Sequence, residues 1–248
     1  MGGYEKLRAL FLQPGFLRFI QKHIIAWFLF LGFPFPFPIL LAILLNEVRV
    51  RWFKKAVQTA SYLPTFLSVV IISSMIIDFL SPNNGLINRI IKSVGFEGKY
   101  FLIDPNWFRP IYVMSEIWST TGYEAIIFLA AIAGISPTLY EAARVDGASR
   151  FRMIWHITLP GLMSTILIIF ILKTGSMIRV GYEKVLLLYN AMTYDVADVF
   201  STFVYRKGLL ESNFSYGAAV GMFEAVVAMV MLMSANYISK RLGGNGLW

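Results

Sequence analysis

Cysteine is absent from the 248 residues, which excludes both disulfides and thiolate-held metal centres. Histidine occurs only twice, at His23 and His156, and neither belongs to an H-E-x-x-H pair of the kind that holds a catalytic zinc. No Walker A pattern occurs, so the chain has no loop of its own to cradle a nucleotide, and no G-x-S-x-G elbow presents a serine nucleophile. These gaps leave enzyme chemistry without a constellation, and no catalytic residue, metal or cofactor is expected. Charge is also sparse: 15% of residues are charged, against about 25% in an ordinary soluble domain. Met1 to Gln13 has no compact apolar core with a small-residue cleavage site, so a removed leader is not expected there.

What fills the chain instead is apolar. Hydrophobic residues make up 57%, and the mean hydropathy is +0.65. Several apolar runs approach the roughly 20 residues that a helix needs to cross a ~30 Å hydrocarbon core. Five spans are read from hydropathy, at about 23–45, 60–80, 111–135, 157–180 and 216–238. Backbone groups in lipid must bond within their own segment, so these runs are helices. The fold class expected is all-α, a polytopic membrane protein in one domain over 1–248. The net charge of +8 would suggest nucleic acid for a soluble chain. Here the basic residues flank apolar spans, and an anionic lipid surface is the counterpart expected.

One stretch is unlike its surroundings. Between the third and fourth apolar runs, Glu141 to Pro160 carries Glu141, Arg144, Asp146, Arg150, Arg152 and His156. Pro137 suits a helix start, and Tyr140 to Val145 contains good helix formers. Gly147 can take positive φ and turn the chain. Ser149 is a candidate N-cap for a second short helix, and Pro160 is expected in the first turn of the next span, where its missing N–H is harmless. The expected product is a knob of two short helices, narrow at Ala142 and Ala143.

The spacing Glu141-Ala142-Ala143, Gly147, Ile157, Leu159-Pro160 resembles the cytoplasmic loop signature of binding-protein-dependent ABC importer permeases. Asp146-Gly147-Ala148 is similar to the form common in sugar importers. Leu44-Leu45-Asn46-Glu47, Gln58 to Pro64, Gly85-Leu86-Ile87-Asn88 and Leu186 to Asn190 resemble the polysaccharide and aldouronate permeases of Gram-positive bacteria. The resemblance implies a type I importer transmembrane domain with a coupling loop at 136–160. It implies that Glu141, Ala142, Ala143, Asp146, Gly147, Ile157, Leu159 and Pro160 engage a cytosolic ABC ATPase dimer. It also implies a second permease subunit, an extracellular solute-binding protein, a multi-pass place in the plasma membrane and a cytoplasmic C-terminus. Nucleic acid is not an expected partner. Family members have six spans. Gly3 to Leu45 is similar to their outer loop and second span, so the first span is expected to be missing, by truncation or by insertion without it. A permease for amino acids, peptides or phosphate, or a remnant that no longer transports, are the alternatives.

Three further features invite a role. Gly32 to Pro38 places proline at alternate positions, which breaks a regular helix and makes either a hinge along the path or a packing kink. Lys173, Glu124 and Glu224 are ionisable residues inside expected spans, where charge is expensive and faces a cavity or a partner. They either form a polar lining of a substrate path, or snorkel, or pair with a neighbouring subunit. The outer segments 83–109 and 181–216 mix aromatic with polar residues, either to receive the binding protein or as an interfacial aromatic belt.

Overall fold

The computed structural model describes residues 29, 32–176 and 181–241. Every regular element among them is helical: α1 Pro36–Glu47, α2 Arg51–Tyr62, α3 Val69–Leu80, α4 Leu86–Ser93, α5 Pro105–Ala133, α6 Pro137–Val145, α7 Arg150–Met153, α8 Leu159–Ser176, α9 Tyr182–Leu188, α10 Tyr194–Ala197, α11 Phe200–Val204 and α12 Phe214–Arg241. Two stretches, Ile154–Thr158 and Tyr205–Leu210, are wide π turns, and Leu63–Phe66 is a tight 3-10 turn.

Hydropathy located the apolar runs but missed where they bend. Arg150–Gly175 and Phe214–Arg241 are each long and apolar enough to cross a membrane. The expected span 60–80 is not one straight helix. α2 with its 3-10 turn meets α3 at 105°. Pro64 sits in that turn, where it cannot donate to a continuing helix. Ser68 then restarts the helix, its hydroxyl accepting from the Ile71 N–H at 3.3 Å. The third run begins at Pro105 rather than at 111, and α5 meets α6 at 69°. Residues 23–28, 30 and 31 of the first run, and 177–180 of the fourth, lie outside the described residues. The proline-rich segment does break the helix: 33–35 form a turn and α1 starts at Pro36. Pro34, Pro36 and Pro38 are thus confined to a turn and a first helical turn, where the missing N–H groups have no intrahelical role.

The chain forms two compact units. One contains Gly32–Phe66 and Ile117–Gly175, with a core of Ala42, Ile43, Ala125, Phe128, Ile132, Leu162 and Ile169. Phe35 meets Phe170 edge to face, with ring centroids 6.0 Å apart. In this unit Gly122 lies against the backbone of Ser61, so close that a Cβ there would meet the Ser61 carbonyl. The Thr65 hydroxyl donates to the Ser119 carbonyl at 2.7 Å. Close approach at a small residue is how helices associate where lipid removes the hydrophobic drive.

The other unit contains Leu67–Glu116 and Ser176–Met229, with Ile72, Ile76, Phe108, Tyr112, Val185, Leu188 and Ala197 at its centre. Its connection after α3 is fastened by fully buried Asn88. The amide nitrogen donates to the carbonyls of Leu80, Ser81 and Lys99 at 3.3, 3.0 and 3.0 Å, and the amide oxygen accepts from the Lys99 N–H at 2.8 Å. One side chain thereby ties the end of α3 to the loop at Lys99, eleven residues beyond Asn88.

Candidate functional site

The polar insert forms an exposed elbow. Ser136 precedes α6, and Pro137 opens it. At its far end the Ala148 N–H donates to the Ala143 carbonyl at 2.9 Å and the Gly147 N–H to the Arg144 carbonyl at 3.1 Å. Those two bonds are the six-to-one and five-to-two pair of a Schellman cap. Such a cap needs a left-handed residue, and Gly147 has φ +73°. Ser149 then caps α7, its hydroxyl accepting from the Arg152 N–H at 3.3 Å. The Tyr140 and Thr158 hydroxyls share a hydrogen bond of 3.0 Å between the two arms of the elbow. Arg150 reaches Glu47 at 3.6 Å.

One expectation about this elbow needs correction. Its second arm, α7, is capped by Ser149 and Pro160 lies in the first turn of α8, but the two helices are not separate. A single helical run covers Arg150–Gly175, widened at Ile154–Thr158, where the Leu159 N–H reaches back to the Ile154 carbonyl. The physical reason is Pro160. In a regular helix its ring would strike the carbonyl four residues earlier, and the wider turn makes room without ending the helix.

Glu141, Ala142, Asp146, Gly147 and Pro160 are exposed, while Ala143, Ile157 and Leu159 are half-buried. The tip also presents large apolar side chains that the spacing did not single out. Val145 is 87% exposed and Phe151 70%, and Phe151 meets Trp155 with ring centroids 6.0 Å apart. The signal for them was in the sequence, as apolar residues inside an otherwise polar stretch.

The intramembrane charges separate into two settings. Lys173 and Glu124 lie in the first unit and pair at 2.7 Å, both with most of the side chain covered. Glu224 lies in the other unit. It accepts from the Ser201 hydroxyl at 3.2 Å and borders a cavity of about 510 Å³ with Val69, Gly181, Tyr182, Glu183, Lys184 and Ser201. Lys184 is 4% exposed at its side chain, pairs with Glu116 at 3.1 Å and stands 5.0 Å above the Tyr112 ring. This pair was not anticipated, because 68 residues separate the partners and no local pattern marks them.

The aromatic residues of segments 83–109 and 181–216 are tied to charge. Trp107 carries Lys99 at 5.1 Å from its ring, and Lys99 pairs with Asp104 at 3.1 Å. Arg206 binds Asp198 at 2.6 Å and lies over Tyr194, whose ring is 4.8 Å from that of Tyr189. Among the described residues, no group of three or more His, Asp or Glu is arranged to hold a metal ion.

Comparison with known proteins adds the rest. Residues 35–243 match the family model described as binding-protein-dependent transport system inner membrane component. The polygalacturonan/rhamnogalacturonan transport system permease protein YteP of Bacillus subtilis (strain 168) is 45% identical over 246 residues, 99% of this chain and 77% of YteP. Protein LplB of the same organism is 43% identical over the same shares of the two chains. The crystal structure of a bacterial ABC transporter involved in the import of the acidic polysaccharide alginate contains a chain similar at TM-score 0.94 and 44% identity. The match covers 97% of this chain and 84% of that one. A second structure holds that kind of transporter in complex with an alginate pentasaccharide-bound periplasmic protein, with TM-score 0.93.

Proposed function

This chain belongs to the family of binding-protein-dependent transport system inner membrane components, and on that premise we propose that its exposed elbow is the part gripped by a cytosolic ATPase. The chain is a permease subunit of an ABC-type sugar or polysaccharide uptake system. It is a multi-pass membrane protein and not itself an enzyme. It works in an importer complex with a binding protein. A second, related permease completes the path, two ATPase subunits hold the paired elbows, and the C-terminus following α12 lies in the cytosol.

The single observation that carries the reading is the capped turn at Gly147. It fixes α6 against α7 and leaves Val145 and Phe151 outward, so a rigid body with apolar knobs is offered to a groove. Rigidity matters because ATP can drive the cavity open only if closure of the ATPase dimer favours one state of the spans over the other. A floppy elbow would transmit no preference. Glu141, Ala142, Ala143, Asp146, Ile157, Leu159 and Pro160 shape this body, with the narrow alanine pair admitting close approach.

Glu224, Ser201 and Tyr182 offer a carboxylate, a hydroxyl and a ring to the hydroxyl groups and C–H face of a sugar. We assign them to the substrate path. Lys173 and Glu124 are assigned to holding α8 against α5. The similarity to a permease named for polygalacturonan and rhamnogalacturonan and to a transporter of the acidic polysaccharide alginate supports an oligosaccharide cut from a polysaccharide as cargo.

The test uses the absence of native cysteine. Val145→Cys, alone in the assembled importer, is expected to crosslink to the ATPase subunit and to react with an impermeant maleimide only from the cytosolic side. Labelling from the external side, or crosslinks that never reach an ATP-hydrolysing neighbour, refutes the assignment.

A further inference from the structure

Helix α4 buries one polar residue, Asn88, and leaves a broad apolar arc open. At about 100° per residue, Leu86, Ile87, Ile90 and Val94 fall on one arc, with Asn88, Lys92 and Arg89 on the other. The apolar arc is uncovered, with Leu86 53% exposed, Ile90 53% and Val94 68%, and Arg89 and Lys92 are exposed beside it. The inward position is Asn88, fully buried in its four hydrogen bonds. A helix facing water would be built the other way round.

The turn that follows enlarges the same arc. The Phe96 N–H donates to the Ile91 carbonyl and the Gly95 N–H to the Lys92 carbonyl, both at 3.1 Å, with Gly95 at φ +92°. This is the same Schellman geometry as at Gly147, and it folds Phe96, 69% exposed, back towards the last helical turn. The basic residues Arg89 and Lys92 flank the arc, and the helix contains no acidic residue. Lys92 already turns its ammonium along the surface, donating to the Pro82 carbonyl at 3.3 Å. Ile77 and Phe79 of the preceding α3 are exposed too.

We propose that α4 lies in the plane of the membrane, with Leu86, Ile90, Val94 and Phe96 in the boundary between headgroups and acyl chains, and Arg89 and Lys92 among the lipid phosphates. Lipid is the occupant that fits both halves of the pattern. It accepts a broad apolar arc without demanding hydrogen bonds, and its phosphates complement Arg89 and Lys92, the two charged residues of the helix. Asn88 then sets the depth of α4, because it locks the helix to the end of α3. The proposal goes beyond transport itself and holds on whichever membrane face carries the 81–104 connection.

Nitroxide labels on Ile90→Cys and Arg89→Cys test it, with the full chain in its importer complex in vesicles of phosphatidylglycerol and phosphatidylcholine. Collision rates with oxygen, which partitions into lipid, and with a water-soluble nickel chelate are compared. The expected result is an oxygen-to-nickel ratio several-fold higher at 90 than at 89. Equal access of nickel to both sites would place the arc in water and overturn the proposal. A label at 90 that is immobile and shielded from both reagents would mean that protein covers the arc, and would overturn it as well. Val94→Cys repeats the measurement at the helix end, where substitution leaves α4 itself intact.

Discussion

Replacing Gly147 should uncouple ATP hydrolysis from uptake through backbone strain rather than through size. Gly147 has φ +73° and nothing within 4 Å of where a Cβ would stand. Any L-residue therefore pays for the left-handed conformation and for little else. That penalty is about 1–2 kcal/mol for an ordinary side chain, a factor of roughly 5–30 in the population of the formed turn. Asparagine tolerates the region far better, so Gly147→Asn should lose only a few-fold. Gly147→Ala and Gly147→Leu should fall together near the middle of the range, because the space is open. Gly147→Val should be worst, since a β-branched side chain is most strained at positive φ. The assay is sugar taken up per ATP hydrolysed in proteoliposomes holding the whole importer. Hydrolysis is expected to persist while uptake falls in the order Gly, Asn, Ala and Leu, Val. Valine at native coupling, or asparagine as damaging as valine, would refute the backbone argument. Leucine far below alanine would show that a wall of the ATPase senses size, and would refute the claim that the turn alone is at stake.

Other expectations follow from single contacts. Gly122→Ala pushes a methyl into the Ser61 backbone, which cannot swing aside; overpacking of this kind costs about 1–3 kcal/mol, read as a lower thermal midpoint of the purified complex. Lys173→Leu strands the Glu124 carboxylate; the loss expected is about 1–3 kcal/mol, less than for a wholly buried pair because both groups retain some exposure. Changing both residues to leucine should recover most of it, and an altered uptake profile at unchanged stability would instead put Lys173 in the path. Asn88→Ala removes four hydrogen bonds at a buried site and leaves their backbone partners unmet, at about 1–3 kcal/mol for each group that water cannot reach; faster proteolysis between 94 and 101 is the readout. The Asn106 N–H, together with Lys99, holds the Asp104 carboxyl below its ordinary value. Its contribution is therefore whole above the ordinary carboxylate range and is lost as pH falls through the lowered folded value. Order in the 99–107 segment, followed by Trp107 fluorescence, should be unchanged near neutrality and decline only in strong acid.

How far the sequence could be read depended on whether the determinant was local. The elbow was legible because Pro137, Gly147 and Ser149 each act within one turn of themselves, through a starting φ, a positive φ and a hydroxyl cap. The bend after α2 escaped a hydropathy reading, which sees that 60–80 is apolar but carries no direction. Pro64 and Ser68 held that information and were passed over. The same blindness hid the π turn: Pro160 was recognised as a helix starter, its commonest use, although a widened turn tolerates it equally well. Ion pairing was beyond reach. Lys173 had Glu124 and Glu224 as candidate partners from sequence, and only packing chose between them, while Glu116 and Lys184 gave no sign of each other.

The widened turn at Ile154–Thr158 has a consequence for phase. One residue advances the azimuth of a helix by about 100°, and a turn closed by a bond five residues long rather than four inserts one residue's worth of rotation. Everything amino-terminal to it, Phe151 and the capping Ser149 included, is swivelled by roughly that angle relative to the stripe of Leu162 and Ile169. Deleting a single residue there would leave the buried stripe seated while aiming the elbow at a different quadrant, so the bulge acts as the angular offset through which one helix serves two differently oriented surfaces.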